Sequence, residues 1–294
     1  MDWKSKRVGA ILEAALKEDK ATRDVTTDVT VDPDLRATAT IIARQDLVLA
    51  GLGCVPRFLD IFADLDNRKH RRYEIVSHPE IFDGVRVREN QAIAVIRHNA
   101  RVILACERVI LNLMQRMSGI ATMTRQYVDA IDGTKARVLD TRKTIPGLRV
   151  LDKYSVRCGG GENHRLDLSD GILIKNNHIS LGGGIPKVLE KAHKWRKPGQ
   201  TIDIEVRTPE ELKLALDGGA ESLLLDNMTP AEVRKAVATV RGRDIQIPIE
   251  ASGGINLENI RKYALAGVDY ISVGALTHSA PAVDISMRIT AEIY

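Results

Sequence analysis

The sequence runs to 294 residues, 44% apolar and 28% charged, with three cysteines and a net charge of +4. That length and apolar content suit one large or two ordinary domains that bury a core without staples. The mild charge and an aromatic content of 4% argue against a nucleic-acid binder, the odd cysteine count excludes a complete disulfide framework, and charges break every apolar run well short of a membrane span.

The N-terminal stretch "MDWKSKRVGAILEAALKED" has no hydrophobic leader region, so a cytoplasmic protein with reduced thiols is expected. Val8, Ile11, Leu12, Ala15 and Leu16 recur at helical spacing. In "ATATIIARQDLVLAGL", Ala39, Ile41 and Ala43 alternate with Thr40 and Ile42, which predicts a strand. The one dense basic run, "NRKHRR" at Asn67–Arg72, reads as a solvated loop face. Further short strands are expected between turn signals at Pro79, Asp83-Gly84 and Glu89-Asn90. Residues 1–116 thus form an α/β layered domain.

From about Ala100 a long helix begins, apolar on nearly every face. Leu104, Arg108, Leu111 and Gln115 share one stripe, which leaves Arg108 as a cation on an apolar helix. A snorkelling arginine and a role across a subunit interface both fit it. After this helix the pattern becomes regular. The runs "RVLD" (137–140), "GILIK" (171–175), "TIDIEV" (201–206), "SLLLD" (222–226), "IQIPIEA" (245–251) and "DYISVG" (269–274) alternate with amphipathic helical segments. That alternation predicts parallel βαβ units and a closed barrel of about six units over residues 117–294, whose last helix packs back on the first domain.

The chemistry sits where those runs end, since the carboxyl ends of barrel strands build one face. Asp140, Thr141, Arg142, Lys143, Lys175, Glu205, Asp226, Ser252 and Gly274 fall there. Taken singly, each reads as a structural ion pair or a tight turn; together they are harder to dismiss. Arg142, Lys143, His164, Arg165 and Lys175 suit an acid with several negative charges. Glu205 and Asp226 are hard oxygen ligands, and two carboxylates that share waters and phosphate oxygens suit Mg²⁺. "EASGGI" and "SVGALTHS" offer backbone N–H groups for a phosphate. Gly159–Gly161 allow a turn or a close ligand approach. A metal site on His164 and His178 lacks a third ligand at a usual spacing, and Cys158 reads as a small apolar filler.

An ordered set of segments, "ERVILNLMQRMSGIAT", "DTRKTIPGLR", "DKYSVRCGGGENHR", "ILIKNNH", "LLLDNM", "EASGGI" and "GVDYISVGALTHS", resembles the quinolinate phosphoribosyltransferase family over essentially the whole chain. Departures are small: Arg23 replaces the family's glycine before "D-x-T-T", and "IEVRTPEE" is a loose version of its strand. The resemblance implies an N-terminal α/β sandwich and a C-terminal βα barrel. It implies a homodimer with shared active sites, or a higher oligomer built from it, and phosphoribose transfer from phosphoribosyl pyrophosphate to quinolinate with loss of CO₂. By motif position, Arg142, His164, Arg165 and Lys175 would meet the quinolinate carboxylates beside Thr141, with Arg108 joining from the neighbouring subunit. Lys143, Glu205 and Asp226 would serve catalysis, the phosphoribosyl pyrophosphate and Mg²⁺. Ser252, Gly253, Gly254, Val273, Gly274 and Ala275 would hold the 5′-phosphate. A related barrel transferase acting on a different aromatic acid is the alternative, and an aldolase or isomerase using Lys143 or Lys175 as a Schiff base is a rival of another class.

Overall fold

A computed structural model describes residues 1–66, 71–244 and 246–292; most of the basic run at 67–72 lies outside them. The chain forms two compact units. The first gathers residues 1–125, 144–160 and 279–294; the second holds 126–143 and 161–278.

In chain order the first unit begins with α1 (Lys6–Glu18), which buries Val8, Leu12 and Leu16 at the expected spacing. A 3-10 turn (Ala21–Arg23) leads to α2 (Val25–Thr30), capped by Asp24 through Thr27 N–H at 3.1 Å. Arg23 does not lie in the left-handed region, so its position does not demand glycine. β1 (Arg36–Ala43) buries Ala37, Ala39, Ile41 and Ala43, as its alternation requires. β2 (Leu47–Val48), α3 (Cys54–Asp66), β3 (Glu74–Val76), β4 (Arg86–Val87) and β5 (Ala92–Asn99) follow. Asn99 then opens α4 (Ala100–Ala130), its side chain accepting Arg101 N–H at 3.0 Å.

The barrel unit contributes β6 (Arg137–Leu139). The chain returns to the first unit for α5 (Arg149–Cys158), then supplies β7 (Ile172–Ile174), α6 (Asn176–Gly182), α7 (Ile185–Trp195), β8 (Ile202–Val206), α8 (Pro209–Asp217), β9 (Ser222–Asp226), α9 (Pro230–Gly242), β10 (Ile249–Ser252), α10 (Ile260–Ala264), β11 (Tyr270–Ser272) and α11 (Ala275–His278). The parallel strands pair in the order β6-β11-β10-β9-β8-β7, which fits a βα barrel. The ladder ends at β6 and β7; beside β6 an isolated parallel bridge pairs Leu139 with Glu162. β10 starts at Ile249, directly after Pro248, which has no N–H to give a ladder. Thr208 and Thr229 cap α8 and α9, Thr229 in a capping box with Glu232.

The end of the chain corrects the sequence reading. The expected last helix is a strand, β12 (Ile285–Ala291), paired antiparallel to β1 in a sheet of order β12-β1-β5-β3. Ile285, Met287 and Ile289 stand opposite Ala43, Ile41 and Ala39. Their period of two is the strand signal. Residues 144–160 and 279–294 group with the first unit. That unit's core joins Leu12, Ile41, Phe58, Ile96 and Met114 to Leu151, Val283 and Ile285. Two polar pairs tie it together: Arg116 forks onto Asp152 with bonds of 2.9–3.1 Å, and Tyr154 donates to Asp83 at 2.6 Å.

Gly159 and Gly160 also belong to this unit and serve packing. A Cβ on Gly159 would lie 2.5 Å from Ala121 O and from Thr124 Cβ. Gly160 has φ +90° beside the Arg125 guanidinium. The ligand approach expected of them is not their reason. Cys54, Cys106 and Cys158 are free and buried. Burial, helped by the charge of Asp83 and only partly offset by the Tyr154 hydrogen bond, pushes the Cys158 thiol up to about 11, so it is not poised to react.

Candidate active site

The alternation of the barrel strands decides which side chains can meet. In β8, Ile202, Ile204 and Val206 are buried while Asp203 and Glu205 share the other face. By ladder register, Glu205 stands beside Leu224 and Leu224 beside Glu250; Asp226 stands beside Ser252. A cavity of about 620 Å³ opens there, within the size range of small-molecule sites.

Its lining includes Thr141, Arg142, Lys143, His164, Arg165, Lys175, Glu205, Asp226, Ser252, Gly253, Gly254, Val273, Gly274 and Ala275, all anticipated from the sequence. Seven further lining residues were not: Leu173, Leu224, Asn227, Glu250, Ile255, Ser272 and His278. Glu250 was legible in principle, as a charge inside an apolar run. Arg108 is exposed on α4 in the first unit, so it is not buried packing.

Local geometry sets each group. The loop after β6 is tied by Lys143 N–H to Thr141 Oγ1 at 3.0 Å and by Thr277 Oγ1 to the Lys143 carbonyl at 2.7 Å. Asp140, fully buried, accepts from Asn163 Nδ2 at 2.5 Å and from the His164 N–H at 2.9 Å. Gly253 has φ +94°, and a Cβ there would lie 2.9 Å from Asn227 N, so only glycine fits. A Cβ on Gly274 would touch Lys143 Cδ at 3.0 Å and His278 Nε2 at 3.2 Å, so its glycine lets both approach the loop. His178 Nδ1 accepts Lys175 N–H at 2.8 Å at the start of α6.

Like charges crowd this cavity. Burial and then the charge of Arg142 lower the Arg165 pKa, though the guanidinium stays protonated at any working pH. Arg142 Nε is buried without a hydrogen-bond partner. Burial and then the charge of Asp226 raise Glu205. His164 Nε2 lies 3.2 Å from Glu250 Oε2. Burial pulls the His164 pKa down, but the hydrogen bond and charge of Glu250, with Asp203, outweigh it and the net shift is upward. Arg165 N–H donates to His164 Nδ1 at 2.6 Å, a contact that full protonation of the ring would forfeit. Asp203 is raised chiefly by burial. Two cations pressed together would be relieved by a multiply charged anion, and two adjacent carboxylates by a cation.

A cation between Glu205 and Asp226 would relieve the repulsion recorded there, and two carboxylates plus substrate phosphates are an ordinary Mg²⁺ donor set. Among the described residues no group of three or more His, Cys, Asp or Glu side chains forms a self-sufficient metal site. No described helix is long and apolar enough to cross a membrane.

Comparison with known proteins gives a consistent picture. Residues 24–118 match the family model for the quinolinate phosphoribosyl transferase N-terminal domain, and residues 120–288 that for its C-terminal domain. The chain is 41% identical over 282 residues to nicotinate-nucleotide pyrophosphorylase [carboxylating] of Mycobacterium leprae, covering 95% of each chain. It is 37% identical to the mitochondrial quinolinate phosphoribosyltransferase [decarboxylating] 2b of Nicotiana tabacum, covering 96% of this chain and 82% of that one. The crystal structure of NadC from Streptococcus pyogenes superposes with a TM-score of 0.90 at 35% identity, covering 100% of both chains.

Proposed function

The chain belongs to the quinolinate phosphoribosyltransferase family, and from that premise we propose that it transfers phosphoribose from phosphoribosyl pyrophosphate to quinolinate, yielding nicotinate mononucleotide, pyrophosphate and CO₂ for NAD biosynthesis. The observation that carries this reading is the half-buried pair Arg142 and Arg165, close enough to lower the Arg165 pKa and lacking a partner for Arg142 Nε. A single carboxylate would leave part of that charge unpaired; a pyridine dicarboxylate answers it.

Arg142, Arg165 and Lys175 hold the acid, and the small-residue loops Ser252–Gly254 and Val273–Ala275 take the 5′-phosphate through backbone N–H groups. Glu205 and Asp226 would hold Mg²⁺, which supplies charge neutralisation to the diphosphate when bound. The C1–O bond to pyrophosphate breaks and C1 becomes oxocarbenium-like. Lys143 meets the charge that grows on the leaving group. The pyridine nitrogen lone pair forms the new bond to C1. The cationic ring then accepts the electron pair as the bond to the 2-carboxylate breaks, CO₂ leaves, and a proton replaces it. The protein's main contribution is to align two anions that repel in water.

Exposed Arg108 supports a homodimer in which it reaches the partner's site; sedimentation as a monomer would remove that part of the reading. A cytoplasmic location accords with the same soluble chemistry. The test incubates the protein with quinolinate, phosphoribosyl pyrophosphate and Mg²⁺. Nicotinate mononucleotide and CO₂ should appear in equal amounts, and nicotinate should not replace quinolinate. Comparable turnover of nicotinate, or of another aromatic acid alone, would overturn the assignment.

A further inference from the structure

Glu250 poses a difficulty. It lines a cavity built for anions, is only 7% exposed, and carries a carboxylate beside the groups that should hold an acid. A buried carboxylate there repels the substrate unless its charge is engaged elsewhere. The engagement is visible. Glu250 Oε2 lies 3.2 Å from His164 Nε2, while Oε1 is buried without a partner. His164 is held again through its backbone, whose N–H donates to Asp140 at 2.9 Å, and Asp140 also takes Asn163 Nδ2. The His164 ring in turn receives Arg165 N–H on Nδ1 at 2.6 Å. Both ring nitrogens therefore face protein groups.

We propose that Glu250 is a positioning residue for the acid-binding site: with Asp140 it clamps His164, and the clamped ring fixes the backbone of Arg165 so that its guanidinium is presented to the substrate. His164 thereby acts as a strut under Arg165. The geometry calls for the Nε2–H tautomer, with its hydrogen toward Glu250 and Nδ1 accepting from Arg165. The groups bearing on the ring are Glu250, Asp203 and Arg165.

One test needs no substrate. Nitrogen-detected NMR of the ligand-free protein should show the His164 ring as the Nε2–H tautomer, and Glu250→Gln should lower its titration midpoint. An Nδ1–H ring, or a His164 signal indifferent to Glu250→Gln in folded protein, overturns the proposal. The second test rests on the phosphoribosyl-transfer reading. Glu250→Gln should raise the quinolinate KM about tenfold or more, as small misplacements of a binding group do, and leave the phosphoribosyl pyrophosphate KM within about twofold. In the His164→Ala background the same substitution should add almost nothing, because the two act as a unit. Multiplying effects would mean that Glu250 acts on substrate directly. Wild-type inactivity with quinolinate would sink the functional reading while the NMR result still decides the clamp.

Discussion

At the amino ends of the barrel strands, Asp269 takes Lys135 Nζ at 2.6 Å, Arg241 Nη2 at 2.8 Å and the Ile249 N–H at 2.9 Å. Burial would raise its pKa, but these three partners win and lower it. At the carboxyl ends the same sheet sets Arg165 against Arg142 and Glu205 against Asp226. One end pairs opposite charges and ties β10 and β11 to α9. The other end keeps like charges together. The difference teaches where the barrel is stabilised and where it is strained toward a ligand, as is usual for the two faces of such a barrel.

Three substitutions test that contrast. The largest effect is expected from Lys143→Ala at the mouth: kcat should fall about 100-fold or more, as when a donor to a developing negative charge is removed, with the melting temperature little changed. A pure rise in the quinolinate dissociation constant would move Lys143 to the acid-binding group. Arg165→Ala should cost about 2 kcal/mol of acid binding, or roughly 30-fold in KM. It should leave stability equal or higher, since a repulsion is removed; a clear drop in melting temperature would break the comparison. Asp269→Ala at the other end should do the reverse, losing about 1.5 kcal/mol of stability while KM values hold. Because the Asp269 pKa is depressed in the fold, its stabilisation is present above the ordinary value of 3.8 and is lost as pH falls through the lower folded value. The acid limb of a wild-type stability profile should therefore flatten in Asp269→Ala.

Much of this was legible from periodicity. The barrel strands appeared as apolar runs because parallel strands are covered on both faces, and their polar endings gathered into one cavity. β12 was missed because a helix was expected to close a βα series, although Ile285, Met287 and Ile289 alternate plainly. α3 was missed beneath an apolar stretch whose spacing does not distinguish elements without length and flanks. The His164–Glu250 contact was out of reach: the two residues lie on segments far apart in sequence, and only register brings a mid-strand glutamate under that ring.

The placement of β12 bears on how the chain folds. Arg44 and Ser286, 242 residues apart, are hydrogen-bonded at 2.6 Å, and β1 is an interior strand only once β12 has docked. Closing so long a loop is entropically slow to be rewarded. During synthesis β1 therefore waits with one open edge until nearly the whole sequence has emerged, while the barrel strands already have their neighbours. An open edge of that kind recruits other strands. Loss of residues 279–292 is thus expected to leave a barrel unit that is formally complete on a chain that aggregates.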